Sequence, residues 1–358
     1  MSHAKIVVIG AGVAGLTTAL LLAKKRHHVT VVAKHMPGDY DIQYTSPWAG
    51  ANFFPFSTSE DDPARRWERN THPELWRLAT QVPESGIHVQ DARLYVMEGL
   101  PTPGFMEGLM SEDPWFKNLV HGFRVLEKPE LPKDAVSGTA FKSVCINTAI
   151  YLPFLLSQCL RYRVAFRRGI VNHVADAANM HVAAKKADLV VNCSGLMACK
   201  LGGVMDSKLI PARGQIVVVR NEAPAMYTTS AVVEGDEEMT YIMMRAAGGG
   251  TILGGCYQKG NWSPEIDPNL ANRIMKRCVD ICPELAGGKG VEGLDIIRHS
   301  VGLRPWREGG ARVESELIDG VKVVHNYGAA GWGYQASYGM SEDTVALVEE
   351  SLKPQAKL

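Results

Sequence analysis

A glycine-rich turn close to the beginning of the chain is the feature that most constrains its fold. Gly10, Gly12 and Gly15 have the spacing G-x-G-x-x-G and follow a β-branched run at residues 6–9. Apolar helical residues come next, and a second β-branched run lies at residues 29–33. In a strand–turn–helix, the first glycine makes the tight turn, the second lets the backbone approach a pyrophosphate, and the third lets helix and strand pack closely. The helix N-terminus adds free N–H groups, so the segment predicts a dinucleotide site.

The end of the second strand departs from this motif. An acidic side chain is expected about 20 positions after the glycines, where it binds the adenosine ribose. The chain has Lys34 and His35 at that place, so the ribose anchor is unassigned. A basic residue suits a 2′-phosphate, and this segment therefore leaves both FAD and NADP open.

Composition excludes several classes of protein. The 358 residues predict about two domains. Lys and Arg balance Asp and Glu at 38 each, which does not indicate a nucleic-acid partner. No apolar run reaches the length of a membrane helix, so no membrane partner is predicted. The cysteines form no C-x-x-C pair and the histidines no H-E-x-x-H motif, so no metal site is predicted.

The rest of the chain predicts two kinds of sheet. An uncharged run at residues 189–191 ends in small polar residues and a glycine, which is typical of a buried parallel strand that stops at a ligand. Runs of β-branched and aromatic residues at 216–220, 241–245 and 251–257 indicate an antiparallel sheet. Near the C-terminus, a strand, a glycine-rich turn and an amphipathic helix at 336–351 repeat the order of the opening segment.

This second glycine-rich turn favours a flavin over a nicotinamide. The N-terminus of the helix that follows it can face the N1–C2 carbonyl side of a flavin ring, where negative charge accumulates on reduction. We therefore predict an α/β plus α+β architecture, with a discontinuous Rossmann-like FAD-binding domain and an antiparallel-sheet substrate domain. The FAD-binding domain is predicted to comprise residues 1–55, 142–196 and 300–358, and the substrate-binding and interface domain residues 56–141 and 197–299.

Several ordered motifs, extending over essentially the whole chain, resemble those of the D-amino-acid oxidases, and most of all the fungal members. They are the turn at Gly10–Gly15, Tyr44–Asn52, Val191–Gly195, Pro211–Gln215, Val301–Pro305, Ala311–Glu314 and His325–Gln335. The resemblance implies non-covalently bound FAD, oxidation of the Cα–N bond of D-amino acids, and reoxidation of the flavin by O2 to give H2O2. A homodimer is a further expectation from the resemblance.

The resemblance also implies which residues bind the cofactor. Residues 45–52 match contacts to the flavin ring and ribityl chain, and residues 331–335 match the ribityl chain and the pyrimidine edge. Val171 matches a backbone contact to the adenine. The implied set is Gly10, Gly12, Val13, Ala14, Gly15, Lys34, Thr45, Ser46, Gly50, Ala51, Asn52, Val171, Ser194, Gly195, Arg304, Gly331, Gly333, Tyr334 and Gln335.

Arg304 is the candidate for binding a substrate carboxylate, because a planar guanidinium pairs with a carboxylate through two parallel hydrogen bonds. Its surroundings, Gly302–Trp306, match the carboxylate-binding arginine of the family. The resemblance implies that further side chains contact the substrate: Tyr241 its carboxylate, Tyr257 its carboxylate or the entrance, Gln335 its amine, and Phe54 and Phe56 its side chain. A role in core packing stays open for the two phenylalanines.

The predicted reaction is hydride transfer from the substrate Cα to N5 of FAD, with the carboxylate clamp fixing the geometry. The imino acid product then hydrolyses to a 2-oxo acid and ammonia. Acidic residues within 221–240 indicate neutral substrates, because D-aspartate would need an additional cation; they are Glu234, Asp236, Glu237 and Glu238. Two alternatives stay open, a D-aspartate oxidase of the same fold and an NADP-dependent dehydrogenase indicated by Lys34.

The last three residues, Ala356-Lys357-Leu358, are close to the S-K-L peroxisomal address. We therefore expect a peroxisomal import receptor among the partners and the peroxisome matrix as the location. Production of H2O2 gives a chemical reason for that location, because catalase removes it there.

Overall fold

The computed structural model describes residues 3–57, 62–99, 102, 104–230 and 238–353. Within these ranges the chain forms 15 strands and six α-helices, numbered in chain order. The strands are β1 (Lys5–Ile9), β2 (His28–Ala33), β3 (Ile87–Met97), β4 (His121–Val125), β5 (Ala135–Ile146), β6 (Ala165–Arg168), β7 (Leu189–Asn192), β8 (Leu209–Val219), β9 (Met226–Thr229), β10 (Glu238–Met244), β11 (Thr251–Cys256), β12 (Gln258–Lys259), β13 (Ile296–Arg307), β14 (Arg312–Ile318) and β15 (Val321–Tyr327). The helices are α1 (Val13–Lys24), α2 (Pro63–Gln81), α3 (Glu107–Met110), α4 (Thr148–Arg161), α5 (Pro268–Ile281) and α6 (Ser337–Ser351).

The chain divides into two compact units, each made of separate segments. The first unit consists of Met1–Pro47, Leu152–Pro211 and Arg304–Leu358. The second unit consists of Trp48–Tyr151 and Ala212–Leu303.

These boundaries differ from those predicted from the sequence. Residues 48–55, 142–151 and 300–303 were expected in the FAD-binding domain but lie in the second unit, whereas residues 197–211 lie in the first. Two backbone N–H groups of the 48–55 segment donate to carbonyl groups of β5, at 3.0 and 3.1 Å. These hydrogen bonds attach the segment to the sheet of the second unit.

The first unit is built on a six-stranded sheet with the order β14–β15–β7–β1–β2–β6. All neighbours are parallel except β14, which pairs antiparallel with β15. Val7, Val190 and Val323 are fully buried on adjacent strands. A sheet buried on both faces requires such β-branched residues, and each buried side chain contributes roughly 1.5–3 kcal/mol. The carboxyl ends of β1, β7 and β15 therefore meet at one edge, where ligands of such sheets bind.

The last helix of the chain returns to the first, as the sequence predicts. The buried Thr18 hydroxyl of α1 donates to the Ser341 hydroxyl of α6 at 2.9 Å. The side-chain amide of Asn326, in β15, donates to the same Thr18 hydroxyl at 3.1 Å. Two helices and a strand from opposite ends of the chain thus share one buried hydrogen-bond cluster.

The second unit is built on a larger sheet with the order β12–β8–β11–β10–β9–β3–β5–β4, and β13 pairs with β8. The antiparallel pairs β8–β11 and β10–β11 confirm the predicted antiparallel sheet. Helix α5 packs Leu270, Ile274 and Cys278 into the core beneath these strands. Among the described residues, none of the helices combines the length and apolar character needed to cross a membrane.

Candidate active site

In the turn between β1 and α1, a side chain at any of the three predicted glycines would come too close to a neighbouring atom. Gly10 has a φ of +102°, a conformation that L side chains rarely adopt. A Cβ atom on Gly10 would overlap the carbonyl oxygen of Cys193, and one on Gly15 would overlap the carbonyl oxygen of Gly10. A Cβ atom on Gly12 would lie 2.8 Å from the hydroxyl oxygen of Ser46. Close approach of backbone explains glycine at positions 10 and 15, and the Ser46 side chain limits the space at position 12.

The N-terminus of α1 suits an anion. Gly12 occupies the N-cap position without a side-chain hydrogen bond, and the first turn of the helix holds no acidic residue. The N–H of Val13 donates to the Ser46 hydroxyl at 3.0 Å. Helix N-termini carry a partial positive charge and unpaired N–H groups, so a pyrophosphate is stabilised at this position.

Two tyrosines hold the segment that carries Ser46. The Tyr44 hydroxyl donates to the carbonyl of Ala11 at 2.6 Å, and the Tyr334 hydroxyl donates to the carbonyl of Ser46 at 2.9 Å. Burial raises the pKa of Tyr44, so its phenol stays a donor over the physiological range. The structure thus brings the predicted cofactor residue Ser46 to the glycine turn and joins Tyr334, also predicted, to Ser46.

A buried polar network supports the turn after β7, and no sequence pattern predicted it. The Oδ1 atom of Asn192 accepts the Ser194 N–H at 3.1 Å, and its Nδ2 atom faces Nδ1 of His325 at 3.1 Å. Because Nδ2 can only donate, Nδ1 of His325 accepts and Nε2 donates to Glu316 at 2.7 Å. Burial lowers the pKa of His325 and nearby Arg312 acts in the same direction, so the ring is neutral at neutral pH.

The predicted residues Ser194 and Gly195 lie at the end of this network. The Ser194 hydroxyl is buried and has no hydrogen-bond partner among the described residues. Gly195 has a φ of +59°, and a Cβ atom there would meet nothing within 4 Å. Buried polar groups are normally hydrogen-bonded, so an unpaired hydroxyl beside open space indicates the place of a ligand.

The contacts of Lys34 in the structure are with neighbouring protein groups and do not identify a ribose anchor. Its ammonium group donates to the side-chain oxygen of Gln43 at 3.0 Å, and its carbonyl accepts from Arg168 at 3.1 Å. Val171, the predicted adenine contact, is half-buried and packs against the core beneath the parallel sheet. The adenosine ribose therefore stays without an assigned partner.

Arg304 lies against the second glycine-rich turn of the first unit. A Cβ atom on Gly331 would lie 3.5 Å from Cδ and 3.8 Å from Nε of Arg304, so the arginine stem passes directly over that glycine. A Cβ atom on Gly333 would make only an ordinary contact, 3.7 Å from the Cβ of Ala329. Gln335 is only 2% exposed. The strand β13 therefore places the guanidinium-bearing side chain of Arg304 beside this turn.

Three predicted flavin contacts, residues 50–52, lie in the second unit and are held by an arginine that was not predicted. Arg245 is buried, and it donates through Nε to the carbonyl of Gly50 at 2.6 Å and through Nη2 to that of Ala49 at 2.7 Å. A Cβ atom on Gly50 would come within 2.6 Å of the Met243 sulfur. Arg245 thus fixes the backbone of this loop.

The candidate substrate residues are divided between the units. Arg304 and Gln335 belong to the first unit, whereas Tyr241 and Tyr257 belong to the second. Tyr241 is half-buried in β10, where it pairs with Gly254 of β11. Tyr257 is half-buried between β11 and β12.

The two candidate pocket phenylalanines differ in their surroundings. Phe54 is buried, and its ring packs edge-on against Phe141 with 5.9 Å between centroids. Phe56 is half-buried, and its backbone N–H donates to the buried Glu68 carboxylate at 3.1 Å. The packing of Phe54 is that of a core residue, and Phe56 keeps an accessible surface.

No metal centre is found in the part of the chain that the structure describes, because none of its His, Cys, Asp and Glu side chains cluster in groups of three or more that could hold an ion. All seven cysteines lie in this part and are free thiols.

A family model described as FAD dependent oxidoreductase matches residues 5–347. The chain belongs to this family. A D-amino-acid oxidase of Fusarium vanettenii is 52% identical over 351 residues, which cover 96% of each chain. A D-amino-acid oxidase of Schizosaccharomyces pombe is 39% identical over 352 residues, covering 97% of each. A D-aspartate oxidase of Talaromyces thermophilus is 28% identical over 368 residues, covering 96% of this chain and 95% of that protein.

Solved structures confirm the predicted fold class. Glycine oxidase from Geobacillus kaustophilus superposes with a TM-score of 0.73 at 17% identity, covering 99% of this chain and 97% of its own. Iminodiacetate oxidase from Chelativorans has a TM-score of 0.71 at 16% identity, with coverage of 99% and 97%. At these identities the likeness concerns the fold alone.

The residues of the first unit fit FAD, the cofactor of the family. The N-terminus of α1, whose N-cap Gly12 makes no side-chain hydrogen bond, suits its pyrophosphate. The unpaired Ser194 hydroxyl supplies a hydrogen-bonding group beside Gly10, and the space next to Gly195 is open. The alternative of an NADP-dependent dehydrogenase rested on Lys34 alone, and the family model supports FAD instead.

Proposed function

We propose that the chain is an oxidase that converts neutral D-amino acids to 2-oxo acids. The overall reaction consumes one O2 and one water and releases ammonia and H2O2, which balances the loss of two hydrogens from the Cα–N bond. The observation that carries this proposal is Arg304, whose stem lies over the glycine-rich turn at Gly331. A guanidinium there suits a substrate with a carboxylate, and relatives with 52% and 39% identity are named D-amino-acid oxidases.

Non-covalent binding of FAD is part of the proposal. Gly10, Gly12 and the N-terminus of α1 hold the pyrophosphate, and Ser194 offers its hydroxyl to the dinucleotide. When bound, FAD supplies the two-electron oxidation and passes the electrons to O2. Burial raises the pKa of the nearby Cys193 thiol to about 12, so this thiol stays protonated at neutral pH.

The protein side chains are proposed to orient the substrate. Arg304 pairs with the carboxylate through two hydrogen bonds, and the Tyr241 hydroxyl donates to it as well. Tyr257 contacts the carboxylate or controls entry, and Gln335 lies near the amine. With carboxylate and amine fixed, only one enantiomer can present its Cα–H for oxidation and keep its side chain in the pocket, which accounts for selectivity toward D-amino acids.

The preference for neutral side chains now rests on fewer acidic residues than the sequence suggested. Glu234, Asp236 and Glu237 lie outside the described residues. Glu238 is buried and pairs with Arg273 at 2.6 Å and with Arg277 of the same helix, so its charge is compensated within the sheet–helix layer. The greater similarity to D-amino-acid oxidases than to the D-aspartate oxidase supports neutral substrates instead.

Initial rates of H2O2 release with D-alanine, D-methionine and D-aspartate test this preference. We expect the two neutral amino acids to react faster, because no additional cation is assigned to a second carboxylate. L-alanine serves as the control for stereochemistry. Faster oxidation of D-aspartate would identify the chain as a D-aspartate oxidase and remove the neutral-substrate proposal.

Two expectations from the sequence stay predictions. Residues 356–358, which resemble a peroxisomal address, lie outside the described residues, and the import receptor and peroxisomal location depend on them. The homodimer rests on the family resemblance.

A further inference from the structure

We propose that Gly254 and Gly255 are positioning residues for the phenol of Tyr241. This inference rests on the proposed role of Tyr241 in binding the substrate carboxylate. Tyr241 in β10 is paired directly with Gly254 in β11. Residues opposite each other in an antiparallel pair project to the same face, so an aromatic ring can lie across a glycine partner.

The contacts around the two glycines fit this arrangement. A Cβ atom on Gly254 would overlap the Cε2 and Cζ atoms of the Tyr241 ring. A Cβ atom on Gly255 would lie 2.5 Å from the Tyr241 hydroxyl and 2.9 Å from the carbonyl oxygen of Gln215. The Cε2–Cζ edge of the ring therefore lies against Gly254, with its hydroxyl close to Gly255.

Neither Gly254 nor Gly255 has a positive φ, and the peptide bond between them is cis. The nearest obstacle to a side chain at Gly254 is the ring of Tyr241.

The backbone under the ring is held from the opposite side. The buried thiol of Cys278, in α5, donates to the carbonyl of Tyr241 at 3.7 Å and to the carbonyl of Gly254 at 3.9 Å. Cys278 belongs to the apolar core beneath the sheet, together with Ile242 of β10 and Leu253 of β11, so the strands cannot shift easily to make room. A methyl group added at 254 must displace the hydroxyl-bearing end of the phenol ring instead.

Four variants with bound FAD test the proposal: Gly254→Ala, Tyr241→Ala, the double variant, and Gly104→Ala as a matched control. A Cβ atom at Gly104 would meet nothing within 4 Å. For Gly254→Ala we expect KM for D-alanine to rise at least tenfold with a smaller change in kcat, while FAD content is unchanged. In the Tyr241→Ala background the same glycine change should alter KM less than twofold, because the ring is absent. Equal effects in the two backgrounds, or no effect in either, would overturn the proposal.

A second measurement keeps the test valid if Gly254→Ala folds poorly. We expect the double variant to have the same melting temperature as Tyr241→Ala, because removal of the ring provides the space for the new methyl group. A double variant that melts well below Tyr241→Ala would show that Gly254 contacts something else, and would overturn the positioning role.

Tyr241→Phe separates this inference from the proposed function. It keeps the ring on the glycines and removes only the hydroxyl. If Tyr241→Phe retains the wild-type KM, the role of the hydroxyl in carboxylate binding is wrong, and so is the positioning role that depends on it. If Tyr241→Phe raises KM but Gly254→Ala does not, the binding role stands and the positioning inference alone fails.

Discussion

Arg304→Ala is expected to lose most oxidation of D-amino acids while it retains bound FAD. The guanidinium is the proposed partner of the substrate carboxylate, and hydrogen bonds to a charged group contribute about 1.5–3 kcal/mol net. Without the pair of guanidinium and carboxylate, the substrate Cα is also no longer oriented for oxidation. We therefore expect kcat/KM for D-alanine to fall by about 100-fold or more. Steady-state kinetics together with the flavin absorption of the purified variant measure both parts of the expectation.

Two further substitutions control for charge and for general damage to the strand. Arg304→Lys keeps the positive charge but loses the planar fork, so its activity should lie between those of the wild type and the alanine variant. Arg298→Ala removes a half-buried arginine from the same strand, β13, and should leave kcat/KM nearly unchanged. An Arg304→Ala enzyme with wild-type kcat/KM would exclude Arg304 from carboxylate binding.

Gly15→Ala is expected to yield protein that has lost its FAD. The new methyl group would overlap the carbonyl oxygen of Gly10, which is backbone and cannot rotate away. Helix α1 must therefore move off β1, and overpacking of this kind typically costs about 1–3 kcal/mol. Because the N-terminus of α1 moves with the helix, FAD affinity should fall by about 100-fold. Titration of the apoprotein with FAD gives the dissociation constant.

Gly169→Ala in the same unit is the matched control. A Cβ atom there would lie 3.5 Å from Cε of Met180, an ordinary van der Waals distance. This variant should bind FAD as the wild type does. Wild-type FAD affinity in Gly15→Ala would contradict the assignment of the turn as the pyrophosphate site.

The local part of the fold could be predicted because its signals lie close together in the sequence. The runs at residues 6–9 and 29–33 became the parallel strands β1 and β2, and residues 189–191 became β7 beside them. Glycine spacing between a strand and a helix predicted the turn itself. The same order of strand, glycine-rich turn and helix near the C-terminus predicted the return of the last helix to the first.

The features of the fold and site that were not predicted depend on contacts between residues far apart in the sequence. Asn192 and His325 are separated by 133 residues, and Arg245 and Gly50 by 195. A single buried polar side chain produces no periodic pattern, so the sequence did not indicate the contacts through which these residues support predicted site segments. The difference in the boundary near residue 48 has the same origin, because the loop at 48–55 is attached to the second unit by residues far along the chain, through hydrogen bonds to β5 and from Arg245.

As a flavoprotein oxidase, this chain is proposed to remove electrons from D-amino acids. The most direct test mixes the purified protein and its bound FAD with D-alanine in the absence of O2 and records the visible absorption of the flavin. We predict rapid bleaching with D-alanine, none with L-alanine, and recovery of the yellow colour with release of H2O2 when air is admitted. If the flavin stays oxidised in the presence of D-alanine and the other neutral D-amino acids, the proposed oxidase activity is wrong. If the purified protein contains no flavin, the proposed cofactor is wrong.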